Sequence, residues 1–170
     1  MGNLKFPTAK TISIGEGAFF GATITSLSFE GSNPSEYSLS SPRSSSWGIF
    51  ANVKGLDSVI LPAWLTTIPD CFFYGSTLKT VDMSQISSGN LNIGDEAFAY
   101  NTSLEAIRLP EKVNTIGKSC FQGCSHLNTL GSGRVFQSGK IYLPITEKIN
   151  DWAFAGCGFT EITRNSWPAT

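Results

Sequence analysis

Five times along this chain an isoleucine is followed, five residues later, by a phenylalanine, each time in nearly the same company. The copies are Ile14-Gly15-Glu16-Gly17-Ala18-Phe19, Ile68-Pro69-Asp70-Cys71-Phe72-Phe73, Ile93-Gly94-Asp95-Glu96-Ala97-Phe98, Ile116-Gly117-Lys118-Ser119-Cys120-Phe121 and Ile149-Asn150-Asp151-Trp152-Ala153-Phe154. A degenerate sixth ends at Trp47-Gly48-Ile49-Phe50. Behind each Phe comes a Gly- or Asn-containing turn and then a spaced apolar triplet. The triplets are Ile24, Leu27, Phe29; Leu56, Val59, Leu61; Leu78, Val81, Met83; and Leu104, Ile107, Leu109, while the last copy keeps Phe159 and Ile162. Self-similarity at a fixed period restricts a chain to architectures in which each unit buries its apolar side against its neighbours.

The anchors Phe19, Phe50, Phe73, Phe98, Phe121 and Phe154 are separated by 31, 23, 25, 23 and 33 residues, so 23 is the basic period. The two long intervals locate inserts. One adds nine residues and coincides with the Ser- and Pro-rich stretch 31–46, a loop by composition. The other adds eleven and interrupts coil five at about 131–140. Two registers compete there. Either Ile141-Tyr142-Leu143-Pro144 resumes the strand, or Leu127 to Leu130 is the strand and 131–143 an excursion; the Leu-Pro dipeptide favours the first.

The Leu-x-x-Ile-x-Leu spacing ends in period-two alternation, so Ile107 and Leu109 share one strand face and Ala106 and Arg108 the other. A lone strand of that length is unstable in water, whereas stacked coils pair their backbones and bury one face continuously. Pro62, Pro110 and Pro144 fall just past the strand, where a missing N–H costs no ladder bond. The Ala-Phe segment suits one helical turn that directs each Phe inward, with Gly94 and Gly117 allowing the backbone turn before it.

The Ile-Gly-x-x-Ala-Phe, Gly-Cys-x-x-Leu and Leu-Pro elements resemble the BspA-like class of leucine-rich repeats, from about Phe6 to Ile162. The period lies within the 20–29 residues of that repeat type. The resemblance implies an α/β fold: a right-handed leucine-rich-repeat solenoid of about six coils, a single domain over 1–170. Short parallel strands would line its concave face, and short helical turns with irregular elements its convex face. It also implies a bacterial surface or secreted protein, placed at the cell surface or outside the cell; some members bind host extracellular proteins.

Composition narrows the remaining classes. Charged residues are 15%, well below the usual quarter, and the net charge is −1 with no charge run. That leaves no basic field for nucleic acid and no polybasic membrane patch. No stretch of 18 apolar residues is present to insert into a membrane, and Met1 to Lys10 carries no signal-like apolar core. An enzyme is not expected. His126, the one histidine, precedes Leu127 in a turn, and a Ser-His-Asp arrangement would have to use it. Gly15-x-Gly17-x-x-x-Gly21 fails the dinucleotide-loop spacing.

Cys120 occupies the small position held by Ala18, Ala97 and Ala153, and Cys124 and Cys157 each follow a Gly two places after the Phe. With Cys71 they read first as packing thiols; a zinc site with His126 and a Cys124–Cys157 disulfide are the alternatives. No cofactor or metal is expected. Asn101-Thr102-Ser103 matches a glycosylation sequon in a turn.

Binding is expected on the outward strand positions: Ser26 and Ser28, Ser58 and Ile60, Thr80 and Asp82, Ala106 and Arg108, Tyr142, and Glu161 and Thr163. Ser28, Ile60, Asp82, Arg108, Tyr142 and Glu161 are the candidate contacts, with Ile60, Arg108 and Tyr142 as anchors. The inserts compete, since loops on a rigid scaffold often carry binding; they offer Tyr37, Arg43 and Trp47, or Arg134 and Phe136. The expected function is a protein-binding module for a protein or peptide ligand, a host extracellular protein among the options. The competing expectation is a structural spacer or repeat fragment of a larger surface protein. End coils need caps, and Met1 to Thr11 and Arg164 to Thr170 are weak ones, so the chain reads as a monomer or a weak end-to-end dimer.

Overall fold

The computed structural model describes residues 2–6, 10–29, 36–42, 47–86, 91–132, 138–143, 145–159 and 163–164. In chain order the strands are β1 (Gly2–Lys5), β2 (Thr11–Ile14), β3 (Ile24–Ser28), β4 (Glu36–Leu39), β5 (Ser58–Ile60), β6 (Thr67–Ile68), β7 (Thr80–Asp82) and β8 (Leu91–Ile93). They continue with β9 (Ala106–Leu109), β10 (Lys112–Ile116), β11 (Thr129–Ser132), β12 (Tyr142–Leu143), β13 (Ile145–Ile149) and β14 (Thr163–Arg164). All the pairings among them are parallel, which a chain can achieve only by travelling right round between rungs. The result is a β-solenoid of about five turns strung between six Phe-anchored segments, one turn fewer than the anchors suggest.

The triplets build the first sheet, in the order β11-β9-β7-β5. Its alternation is the expected one: in β9, Ile107 and Leu109 are buried while Ala106 and Arg108 are half-buried on the outer side. Pro110 then turns the chain into a second parallel sheet, β13-β10-β8-β6. This second ladder replaces the irregular elements expected opposite the first. Val113 with Ile116, and Leu91 with Ile93, supply its buried side.

No helix occurs among the described residues, so the α/β expectation gives way to an all-β architecture. The Phe segments are tandem turns. In the last three copies the residues two before and two after the anchor lie in the left-handed region: Glu96 (φ 54°) and Tyr100 (φ 58°) around Phe98, Ser119 (φ 52°) and Gly123 (φ 74°) around Phe121, and Trp152 (φ 61°) and Gly156 (φ 71°) around Phe154. Alternate N–H groups therefore point in different directions. The Ala99 N–H returns to Glu96 of its own coil at 3.1 Å, whereas Phe98 and Tyr100 donate to Cys120 and Gln122 of the next, at 2.9 and 2.7 Å. A helix would send every N–H back along its own axis and leave none to stack coils. The tandem turns give the solenoid a third hydrogen-bonded side.

Gly94 and Gly117 have ordinary φ, so conformational freedom is not their role. A Cβ on Gly117 would overlap the Gly94 carbonyl, and one on Gly94 would overlap Asp70. They are small because the coils touch there backbone to backbone. Inside, the anchor rings form one pile. Centroids from Phe19 through Phe50, Phe73, Phe98 and Phe121 to Phe154 are 5.2, 5.2, 5.9, 5.4 and 5.3 Å apart, with rings within 18° of parallel.

The inserts also differ from expectation. Residues 36–39 of the first are not loop: β4 pairs with β2, Ile14 against Leu39, as a separate two-stranded sheet. In coil five the Leu127–Leu130 register prevails. Thr129 pairs with Ala106 and Leu130 with Ile107, and a bridge from Leu130 to Ile141 sets the Ile141–Leu143 stretch down as an additional rung. The insert thus sets β12, which pairs with β14 as a separate two-stranded sheet, beside the end of the first sheet through that one bridge.

Candidate functional site

On the outer face of the first sheet the register lines up Ile60, Asp82, Arg108 and Gly131, with Ser58, Thr80, Ala106 and Thr129 as a parallel row. The Leu130–Ile141 bridge carries the first row on to Tyr142, which pairs with Thr163. Neighbouring strands are about 4.8 Å apart, so Arg108 and Tyr142, two rungs apart, are separated by about 10 Å of backbone. The additional rung, absent from the favoured register, is why Gly131 stands between them. Ile60 is 56% exposed, while Asp82, Arg108 and Tyr142 are half-buried. One Asp82 oxygen accepts the Ser84 N–H at 2.8 Å. Thr129, missed by sequence reasoning, is buried: its hydroxyl donates to Asn128 and accepts the Gly139 N–H, each at 2.8 Å, tying the second insert to the sheet. Lys79 and Asp57 make an ion pair at 3.2 Å, so exposed that it adds little stability.

The insert candidates scatter. The Tyr37 hydroxyl accepts the Thr66 N–H at 3.0 Å and shares a hydrogen bond with the Thr66 hydroxyl; its ring packs on Trp64 at 4.9 Å. That makes it a strut between coils. Trp47 is 54% exposed and stacks on Phe20 at 4.9 Å, on the Phe-turn side rather than beside Arg108. Glu161, Arg43, Arg134 and Phe136 lie outside the described residues.

Ser28 and Ile60 are brought together by a feature with little sequence signature. Sheet pairing is interrupted between β3 and β5, and a cavity of about 510 Å³ opens there, lined by Thr25 to Phe29, Ser58, Ile60 to Ala63 and Gln85. The signal in the sequence is indirect: the 31-residue interval follows this coil.

The cysteines belong to the scaffold. The position three after the anchor faces the carbonyl of the anchor one coil earlier. Ser76 Oγ donates to Phe50 at 2.8 Å, Asn101 Nδ2 to Phe73 at 2.7 Å, Cys124 Sγ to Phe98 at 3.1 Å and Cys157 Sγ to Phe121 at 3.2 Å. All four cysteines are free thiols. Burial pushes the Cys157 thiol up to about 12 and raises the Cys120 and Cys124 thiols as well. Protonated thiols are poor nucleophiles. Iodoacetamide at pH 8 is expected to leave Cys120 and Cys124 unmodified in the native chain, and Cys71 too because it is buried, and to modify all four cysteines in urea without reductant. An intact mass carrying only two adducts in urea would reveal a disulfide instead.

Asn101 is fully buried, with a second bond from Nδ2 to Phe98 at 2.9 Å, so the sequon offers no acceptor in the folded chain. His126 is exposed and its Nδ1 faces the Thr102 carbonyl, so that nitrogen carries the proton and accepts none from Ser125, 3.4 Å away. No group of three or more metal-ligating side chains and no helix long and apolar enough to cross a membrane occurs among the described residues.

A model of the BspA type leucine rich repeat region matches in six copies across residues 44–137, more than half of the chain. No curated protein and no solved structure matches.

Proposed function

This chain belongs to the BspA-type leucine-rich repeat family, and on that premise we propose that it is a non-enzymatic protein-binding module of a surface or secreted bacterial protein. The observation that supports this reading is the row Ile60, Asp82 and Arg108 on successive rungs of one sheet face, which the Leu130–Ile141 bridge continues past Gly131 to Tyr142. It combines an exposed aliphatic side chain, a carboxylate, a guanidinium and a phenol on a backbone held in parallel ladders. Arg and Tyr are the residue types over-represented among interface hot spots, and a rigid scaffold spends little entropy in presenting them. The partner is a protein or peptide, and host extracellular proteins are the first class to try.

The test has two stages. Immobilised chain is used to capture a partner from purified extracellular matrix and plasma proteins, and the captured protein is then titrated against Arg108→Ala and Tyr142→Ala. Each variant is expected to weaken binding at least tenfold, about 1.4 kcal/mol, with an unchanged melting temperature. Wild-type affinity in both would move the site off this face. No partner at all would favour the spacer reading.

A further inference from the structure

Between all other neighbouring rungs of the first sheet the ladder follows one rule. The inward residue of each coil donates to the next: Leu61 N–H to Asp82 at 2.8 Å and Met83 N–H to Arg108 at 2.7 Å. The outward residue donates back: Thr80 N–H to Asp57 at 3.1 Å and Ala106 N–H to Lys79 at 3.2 Å. One rung earlier the same rule calls for Phe29 N–H on the Ile60 carbonyl and Ser58 N–H on the Thr25 carbonyl. Neither bond forms. The coils are joined at their start, with a Thr23–Lys54 bridge and the Ile24 N–H on Lys54 at 2.9 Å, and they part after Gly55, which is left-handed at φ 81°.

The opening is a wedge with the chemistry of two strand edges. Along one wall run the backbones of Leu27 and Phe29; along the other, those of Ser58 and Ile60. The other edges of both strands are already used, β3 by β1 and β5 by β7, so it is the facing edges that lack a partner among the described residues. Ser28 Oγ is enclosed beside them with no hydrogen-bond partner among the described residues. Leu27, Ile60, Pro62 and Ala63 give the walls apolar surface. Unpaired N–H and C=O groups with a two-residue repeat match the spacing of another extended backbone.

We propose that the β3–β5 wedge is a strand-addition site, which takes a short extended peptide segment of a partner protein. The segment enters at the Phe29–Ala63 end. Its backbone pairs with Ser58 and Ile60 on one side or Leu27 and Phe29 on the other, a backbone oxygen accepts from Ser28 Oγ, and a β-branched side chain packs on Ile60 and Pro62. This rests on the reading of the chain as a protein-binding module and adds where a partner's main chain is held. Specificity for sequence is modest, because backbone groups make most of the contact; a requirement for an extended, unmethylated main chain is strong.

The experiment uses the full chain and a defined probe, the blocked peptide acetyl-Thr-Val-Thr-Val-Thr-amide, beside the same peptide with alternate amides N-methylated. Amide hydrogen exchange is followed residue by residue. In the free chain the Phe29, Ser58 and Ile60 amides should exchange at least a hundredfold faster than Leu61, Met83 and Ala106. The unmethylated peptide at millimolar concentration should slow them at least tenfold, and the methylated one should not. Ala63→Trp, a substitution at an exposed wall position, should abolish the slowing without changing the melting temperature. Protection of those amides in the free chain, equal slowing by both peptides, or no slowing at all would overturn the proposal. Arg108→Ala separates the two readings. Peptide protection that survives it, with partner binding also unchanged, would leave the wedge standing and the sheet-face row fallen. Partner binding lost in Arg108→Ala, with no peptide protection in the wild type, would do the reverse.

Discussion

Phe98→Ala is expected to destabilise the chain by about 3–5 kcal/mol, the cost of emptying a fully enclosed aromatic site. Phe98 has no exposed surface and stands in the middle of the ring pile, with Phe73 at 5.9 Å and Phe121 at 5.4 Å. Its neighbours cannot slide into the space, because Phe98 and Tyr100 N–H groups hold the segment to the next coil at 2.9 and 2.7 Å. For a chain of this size the loss corresponds to roughly 10 °C in melting temperature. Because a solenoid's coils contact only their neighbours, a weakened central interface should also broaden the urea transition. Phe20→Ala is the control. Phe20 is 40% exposed and among the described residues stacks on Trp47 alone, so its loss should cost about 1 kcal/mol or less. Equal effects in circular-dichroism melts would mean that the ring pile is not what joins the coils.

Much of this architecture is legible in the sequence, for reasons that also explain what is not. The triplets and Phe anchors are visible because burial repeats with the coil: Leu104, Ile107 and Leu109 are all fully enclosed, as their spacing requires. The outer row from Ile60 to Arg108 follows from the same alternation. The second sheet is hidden because its strands share letters with the anchor motif; Ile93 and Ile116 open the Ile-Gly element and close a strand at once. The turns defeat a helix expectation because Glu96, Ser119 and Trp152 occupy left-handed positions that glycine would advertise. Nothing local selects that conformation there. Hydrogen bonds to the next coil do, and they exist only in the assembled solenoid. In coil five the Leu-Pro dipeptide points to the wrong strand, since both candidate strands are present and only their order of stacking decides register. The β3–β5 wedge is a missing pairing, and a missing pairing leaves no pattern of residue types.

Gly117→Ala should be among the most damaging single-methyl changes available in this chain, at about 3 kcal/mol. The added Cβ meets the Gly94 carbonyl and stands 2.6 Å from the Asp95 nitrogen, and neither is a side chain that can swing away. The Gly117 N–H itself donates to Ile93 at 2.8 Å, so relief of the overlap requires stretching the ladder that joins the two coils. Helix or strand propensity has no part in this, and neither has backbone freedom, because φ at Gly117 is ordinary. The decisive comparison is Gly15→Ala. Gly15 occupies the same place in the Ile-Gly motif, yet nothing lies within 4 Å of its Cβ direction: at Gly94 and Gly117 the Cβ would meet the preceding coil, and Gly15 stands in the first copy of the motif. Its replacement should change stability by no more than about 0.5 kcal/mol, the usual range for an open surface site. A motif-level requirement for glycine would make the two variants equally unstable. Backbone contact between coils makes only Gly117→Ala unstable, and urea midpoints of the pair distinguish the two.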